Sequence, residues 1–300
     1  MVLLVVVVVT LAAAVILWAV RRNQGIVFDE DRYPGLAALY RSSVRARYAG
    51  LAASAVVFIV VASVGRLGRG LFLAPAAAGA VMLIAVMIGQ QLAYVGARTA
   101  GIAAVERRLV RDYLPRSLSI AVAVFLVVLA GVAVWTTVAA GPDSSSLARA
   151  LTVTGTETLG TKMGSEATAV MSTRTPFPGS YYTLMLVIGL PVAVVLGGVA
   201  LWLTARRPRN GADPELVPAD DALRRQTAEG IMAAVGLAVS VSLLCVAVGA
   251  AMAVGGMAEF GVRYVLGAAA LGVAALGSLG LAACCAILLL VPGDAVVKRS

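Results

Sequence analysis

Polar and apolar positions along this chain are sorted into long blocks rather than alternating at a strand or surface-helix period. Seven apolar stretches run 2–20, 49–65, 71–97, 118–140, 182–204, 231–256 and 264–291, and none contains a charged residue. A hydrocarbon core about 30 Å thick needs roughly 20 apolar residues in helical form. Six stretches reach or approach that length, and the second is the shortest. Lipid offers no partner to backbone amides, so each stretch is expected to be a helix. The pattern predicts an all-α, polytopic integral membrane protein with about seven transmembrane helices in a single domain covering 1–300.

Composition supports this class: 61% of the 300 residues are hydrophobic and the mean hydropathy is +0.96, outside the range of soluble domains. Charge then adds an orientation. Eighteen of the 24 Lys and Arg residues fall in alternate connections, 21–48, 98–117 and 205–230, and in the C-terminal tail. Basic residues are retained on the cytoplasmic side, so these connections are expected inside, the N-terminus outside and the C-terminus in the cytoplasm. The net charge of +9 is then mostly an insertion signal. It argues for no nucleic-acid partner, although the cytoplasmic Arg clusters would attract anionic headgroups of the bilayer.

Aromatic residues mark the same boundaries, because Tyr and Trp favour the headgroup level. Trp18, Tyr48, Tyr94, Tyr113 and Trp202 fall at the expected inner interface; Trp135, Tyr181, Tyr182 and Tyr264 fall at the outer one. The first stretch lacks a positive leading region and carries Arg21 and Arg22 at its far end, which reads as an anchor rather than a cleaved signal.

Within the inner connections, Leu36, Leu39, Tyr40 and Val44 form a helical stripe, as do Ile102, Val105, Leu109 and Tyr113. Each suits either a short interfacial helix or an extension of the neighbouring span. A third segment places Asp220 and Asp221 one turn before Arg224 and Arg225, acids at a helix start and bases after them. Arg41 to Arg45, Arg107 to Arg111 and Leu223 to Arg225 occupy equivalent places before three spans, a faint repeat from which no function follows.

Candidate chemistry is narrowed chiefly by what is missing. With no His, imidazole-based triads, zinc motifs and haem ligation have no ligand. Cys245, Cys284 and Cys285 all lie within apolar stretches and read as small packing residues. The run Gly155 to Met163 copies the glycine spacing of a phosphate-binding loop, but Thr161 displaces the lysine to Lys162 and Met163 replaces the hydroxyl needed for Mg²⁺. No catalytic, cofactor-binding or metal-binding residue is therefore assigned, no cofactor is expected, and an enzyme is not.

Three features remain. The outer loop 141–181 is long enough to suggest a partner surface or a mobile solvated loop; Asp143 followed by Leu147 to Leu151 predicts a capped short helix, Thr152 to Thr158 a small hairpin, and Pro176 to Tyr182 a rigid re-entry. Within the spans, Gln90, Gln91, Tyr94 and Pro191 are the candidates for a transport path, since polar groups and helix breaks at depth accompany such paths; kinks and interhelical Gln bonds are also routine in helix packing, which is the favoured account of them. Ala270, Ala274, Ser278, Ala282 and Ala286 form a small-residue ridge suited to close helix contact. The sequence is thus expected to be a multi-pass, non-enzymatic scaffold or regulatory component of a bacterial plasma membrane. It would bind a protein partner, or further copies of itself, through the outer loop or basic inner face. The alternative is a permease or exporter for a small solute, with its path near Gln90, Tyr94 and Pro191.

Overall fold

A computed structural model describes residues 26–29, 34–96, 110–161, 164–206, 216–291 and 295–298. Six long helices dominate: α1 Pro34–Ser63, α2 Arg69–Gly96, α3 Arg116–Ala139, α4 Ser180–Arg206, α5 Leu216–Gly255 and α6 Val262–Leu290. Each contains a segment long and apolar enough to cross a membrane. The first apolar stretch, 2–20, lies outside the described residues, as do Ile102, Val105 and Leu109 of the second inner stripe.

The helix boundaries place two of the inner segments. The stripe at Leu36 to Val44 belongs to α1, because no Gly or Pro interrupts helical geometry from there until the span itself. Likewise the Asp220–Arg225 segment is the N-terminal part of α5, whose 40 residues make a rod about 60 Å long at ~1.5 Å per residue.

Large aliphatic side chains cover the outside of the bundle: Val127, Val138, Val187, Val195, Met252 and Leu266 are all more than half exposed. In water such coverage would be an aggregating surface, whereas in lipid it is the expected solvent-facing layer. The interior is built around α5, which packs against α2, α3, α4 and α6. Leu83, Ile231, Val239, Val246 and Cys285 are fully buried in this core, and close crossings rest on small residues. A side chain at Gly236 would meet Cys285 Sγ at 2.7 Å, and one at Gly79 would meet the Ala238 Cβ at 2.8 Å. Cys285 thus occupies a packing position.

α1 and α2 form an antiparallel hairpin with a turn of only a few residues. Gly65 and Gly68 adopt positive φ angles of 106° and 76° there, a conformation that glycine reaches without a Cβ penalty. Ser54 Oγ donates to the Ala78 carbonyl at 2.9 Å, crossing the pair midway. α4 runs parallel to α2: Tyr182 reaches Leu67, Gly189 faces Leu73 and Ala76, Gly197 faces Leu83, and Thr204 meets Gln90. α5 and α6 close a second antiparallel hairpin, with Gly255 beside Ala268 and Gly236 beside Cys285.

Alternation of the helices gives the bundle two chemically different ends. At one lie the α1–α2 turn, the segment 140–180 and the α5–α6 turn. At the other lie Arg41, Arg45, Arg47, Arg111, Arg116, Arg206, Arg224 and Arg225. A short parallel pairing of β1 Ile26–Asp29 with β5 Ala295–Lys298 adds Lys298 to the sheet.

The chain is mostly helical rather than wholly so, and the main exception is the long loop. β2 Gly141–Pro142, β3 Ala148–Thr161 and β4 Gly164–Arg174 form an antiparallel sheet in the order β2-β3-β4. The short helix expected at Leu147 to Leu151 is replaced by the start of β3. Asp143 does not cap a helix; its Oδ1 accepts the amides of Ser145 and Leu147 at 2.8 and 2.9 Å, closing a turn that delivers the chain directly into the strand. The alternating Thr152-Val-Thr-Gly-Thr run then favours extended backbone. The hairpin expected over Thr152 to Thr158 is real but longer, with eleven paired positions from Leu151↔Arg174 to Thr161↔Gly164.

Candidate functional site

The hairpin's base is held by a network of side-chain and backbone bonds. Asp143 Oδ2 accepts from Arg149 Nε, Arg149 also sits against the Tyr182 hydroxyl, and Tyr182 donates to the Leu67 carbonyl at 2.9 Å. The Arg149 carbonyl accepts the Phe177 amide at 2.8 Å. Phe177 is wholly buried among Leu151, Val153, Ala250 and Met257, and Trp135 meets its ring edge-on at 6.0 Å. These contacts tie β3 to α3, α4, α5 and the α1–α2 turn, so the re-entry expected at Pro176 to Tyr182 is anchored at several points.

Backbone hydrogen bonds to Leu147 and Ser145, with the Arg149 guanidinium beside it, hold the Asp143 carboxyl below its ordinary value of 3.8. A depressed carboxyl contributes stability that is complete above its unfolded value and is lost as pH falls through the folded one. The hairpin base is therefore expected to hold at neutral pH and to loosen below about pH 3.8. Asp143→Asn should show the same loosening at neutral pH, read as faster trypsin cleavage after Arg149; equal cleavage rates in the two proteins would discard this account.

Beyond the base, ten further steps at ~3.4 Å carry the hairpin roughly 34 Å along its axis. Strand periodicity puts Thr152 and Thr154 on one face, opposite Thr173 and Met171. At its near end this face is exposed, and the Thr152 and Thr173 hydroxyl oxygens lie 3.3 Å apart. The phosphate-loop look-alike falls on this hairpin: Gly155 to Thr161 are strand, which cannot wrap an anion, and Lys162 and Met163 lie outside the described residues.

At the basic end most arginines are exposed, but Arg47 and Arg224 are buried. Arg224 has no exposed surface. Its guanidinium binds Asp220 Oδ2 at 2.9 Å through Nε and Nη2, and Nη1 points at the Thr204 and Ala205 carbonyls at 3.3 and 3.5 Å. Those carbonyls belong to the last turn of α4, where helical partners run out and positive charge is favoured. Tyr113 lies under the same guanidinium at 5.9 Å and donates to Asp221 Oδ1 at 3.2 Å. Arg47, also buried, donates to the Gln226 carbonyl at 3.3 Å. The arrangement clamps α1, α4, α5 and the segment before α3 together.

Among the described residues, two of the cavities open at this end. One, about 490 Å³, is lined by Arg111, Arg116 and Arg225 together with Asp112 and Glu229, so its basic charge is partly offset. The other, about 620 Å³, lies between α1 and α2 with Arg41 and Arg45 at its mouth and Ala49, Ala85, Ile88 and Gly89 beneath.

Of the residues expected along a transport path, Gln90 and Pro191 lie apart. Gln90 meets α4 through Thr204 Oγ1, 3.2 Å from its carboxamide, while the same hydroxyl donates to the Ala200 carbonyl at 2.8 Å. Gln91 faces outward, and Tyr94 is on α2 with its side chain outside the described residues. Pro191 occupies the exposed face of α4, thirteen residues and about 20 Å of helix from Thr204. On α6, Ala270 is exposed, Ala274 and Ala286 are partly covered, and Ser278 and Ala282 are buried. A four-residue spacing drifts about 40° per step around a helix. The buried line accordingly follows Leu271, Ala275, Ser278, Ala282, Cys285 and Leu289.

Six apolar helices with lipid-compatible exteriors define the class: a multi-span helical membrane protein. No protein-family model matches the chain, and no curated protein or solved structure is detectably similar to it.

Proposed function

We propose that the chain is a non-enzymatic component of a bacterial plasma membrane that binds a protein partner through its hairpin. It spans the bilayer about seven times, with the N-terminus and hairpin outside and the basic end in the cytoplasm. The asymmetry of Lys and Arg between the two ends supports this orientation. The single observation that carries the functional reading is the hairpin itself, fixed at its base and extending well past the buried Leu151 and Val153. β2 covers only the first rungs of β3, at Gly141↔Ala150 and Pro142↔Ala148. Past them, both edges of the β3–β4 ribbon are without a paired strand among the described residues. Open strand edges are templates for a further strand, and strand addition is a standard mode of partner recognition.

Replacing residues 155–170 by Asn-Gly joins Thr154 to Met171 through a two-residue turn suited to a hairpin. This variant should melt like the parent in mild detergent, yet lose a stoichiometric protein that accompanies the parent from its native membrane, as read by mass spectrometry. Purification of the parent alone from that membrane would overturn the proposal.

A further inference from the structure

We propose that the α1–α2 cavity at the basic end is a binding site for one anionic phospholipid, its phosphate at Arg41 and Arg45 and the upper part of an acyl chain in the furrow below. The site deepens the membrane reading of this end by naming a ligand; it does not depend on what the hairpin binds. Its shape follows from residue size. A side chain at Gly89 would stand 2.3 Å from the Ala46 Cβ, and one at Gly50 would stand 2.8 Å from the Ala85 Cβ. The two helices therefore touch nearly backbone to backbone. Ser42 Oγ donates to the Gly89 carbonyl at 3.5 Å and closes the upper part of the contact.

Such close contact between small residues leaves a furrow along one side, floored by Ala49, Ala85 and Gly89 and walled by the exposed Ile88. Its volume of about 620 Å³ lies within the ~300–1,000 Å³ of small-molecule sites.

Charge and polarity are arranged for an amphiphile. Arg41, Arg45 and Ala49 succeed one another at four-residue spacing, so they share one face of α1. Reading inward from the basic end, that face passes from two guanidinium groups to a methyl floor within about 12 Å of helix axis. Arg45 is exposed and makes no ion pair among the described residues. A guanidinium presents paired donors that match phosphate geometry. The other cavity, at Arg111, Arg116 and Arg225, differs in containing Asp112 and Glu229, which offset its basic charge.

The test uses the full chain in mild detergent, with lipid retention read by native mass spectrometry. Added dioleoylphosphatidylglycerol should be retained at one molecule per chain, in clear preference to dioleoylphosphatidylcholine. Arg45→Gln should weaken retention about fivefold, the loss expected for one basic group at a lipid surface. Ala49→Phe, at an exposed position, should fill the furrow and weaken retention at least as much while leaving both arginines in place. Arg263→Gln, at the opposite end, should change nothing, and melting curves should show each variant folded. Equal retention of the two lipids would overturn the site, as would unchanged retention in Ala49→Phe. Displacement of the lipid by millimolar inorganic phosphate would overturn it too, because the cavity would then be a free-phosphate site with no use for its apolar floor.

Discussion

Arg224→Ala is expected to cost about 3–5 kcal/mol of stability, the range for removing one partner of a buried ion pair. The loss has two sources. Asp220, whose side chain is 12% exposed, would lose the guanidinium that binds its Oδ2. The Thr204 and Ala205 carbonyls at the end of α4 would also lose the donor that approaches them. Asp220→Leu combined with Arg224→Met should restore most of the stability, since well-packed apolar residues often replace buried pairs without penalty. Thermal unfolding of the three proteins in one detergent checks both statements. A melting temperature for Arg224→Ala equal to the parent's would show that the clamp carries no energy.

Gly70→Ala should be nearly as damaging, at about 3 kcal/mol, the upper part of the range for forcing extra volume into a packed site. A Cβ there would lie 2.0 Å from both the Val61 and Val64 carbonyl oxygens. These are backbone atoms at the end of α1, with no rotamer to yield, so the whole turn must open. Gly131→Ala is the matched control: it adds the same methyl group to α3, where nothing lies within 4 Å. It should leave the melting temperature unchanged or slightly higher, because alanine favours helix. Equal behaviour of the two variants would mean that the α1–α2 turn is looser than described.

The spans were legible in the sequence because lipid imposes a length and a polarity that few other environments require, and each described span falls within two residues of its expected C-terminal end. Helix beginnings were less legible. α1 and α5 start well before their apolar blocks, since polar residues continue a helix as readily as apolar ones outside the hydrocarbon. The Arg224 clamp was hidden for a related reason. Asp220 and Arg224 at four-residue spacing look like an exposed surface pair, and only their alignment with Thr227, Ala228 and Ile231, all buried on the same face, signals that the pair is inside. Leu147 to Leu151 misled in the opposite direction: Asp143 followed by three serines resembles a helix cap, whereas the turn its carboxylate makes leads to a strand. The small-residue ridge on α6 was readable as composition, but its strict four-residue step departs from the helical period, so its ends turn away from the contact.

The grip of α4 on the α1–α2 turn has a consequence in time. Tyr181 and Tyr182 donate to the Arg66 and Leu67 carbonyls across 115 residues of chain. At a synthesis rate of roughly 5–20 residues per second, these donors emerge about 6–23 s after the turn they secure. During that interval the first hairpin must rest on its own helix contact and on whatever water or headgroup reaches its carbonyls. Its final fastening waits until the β-hairpin has been made and the chain has turned back toward the bilayer.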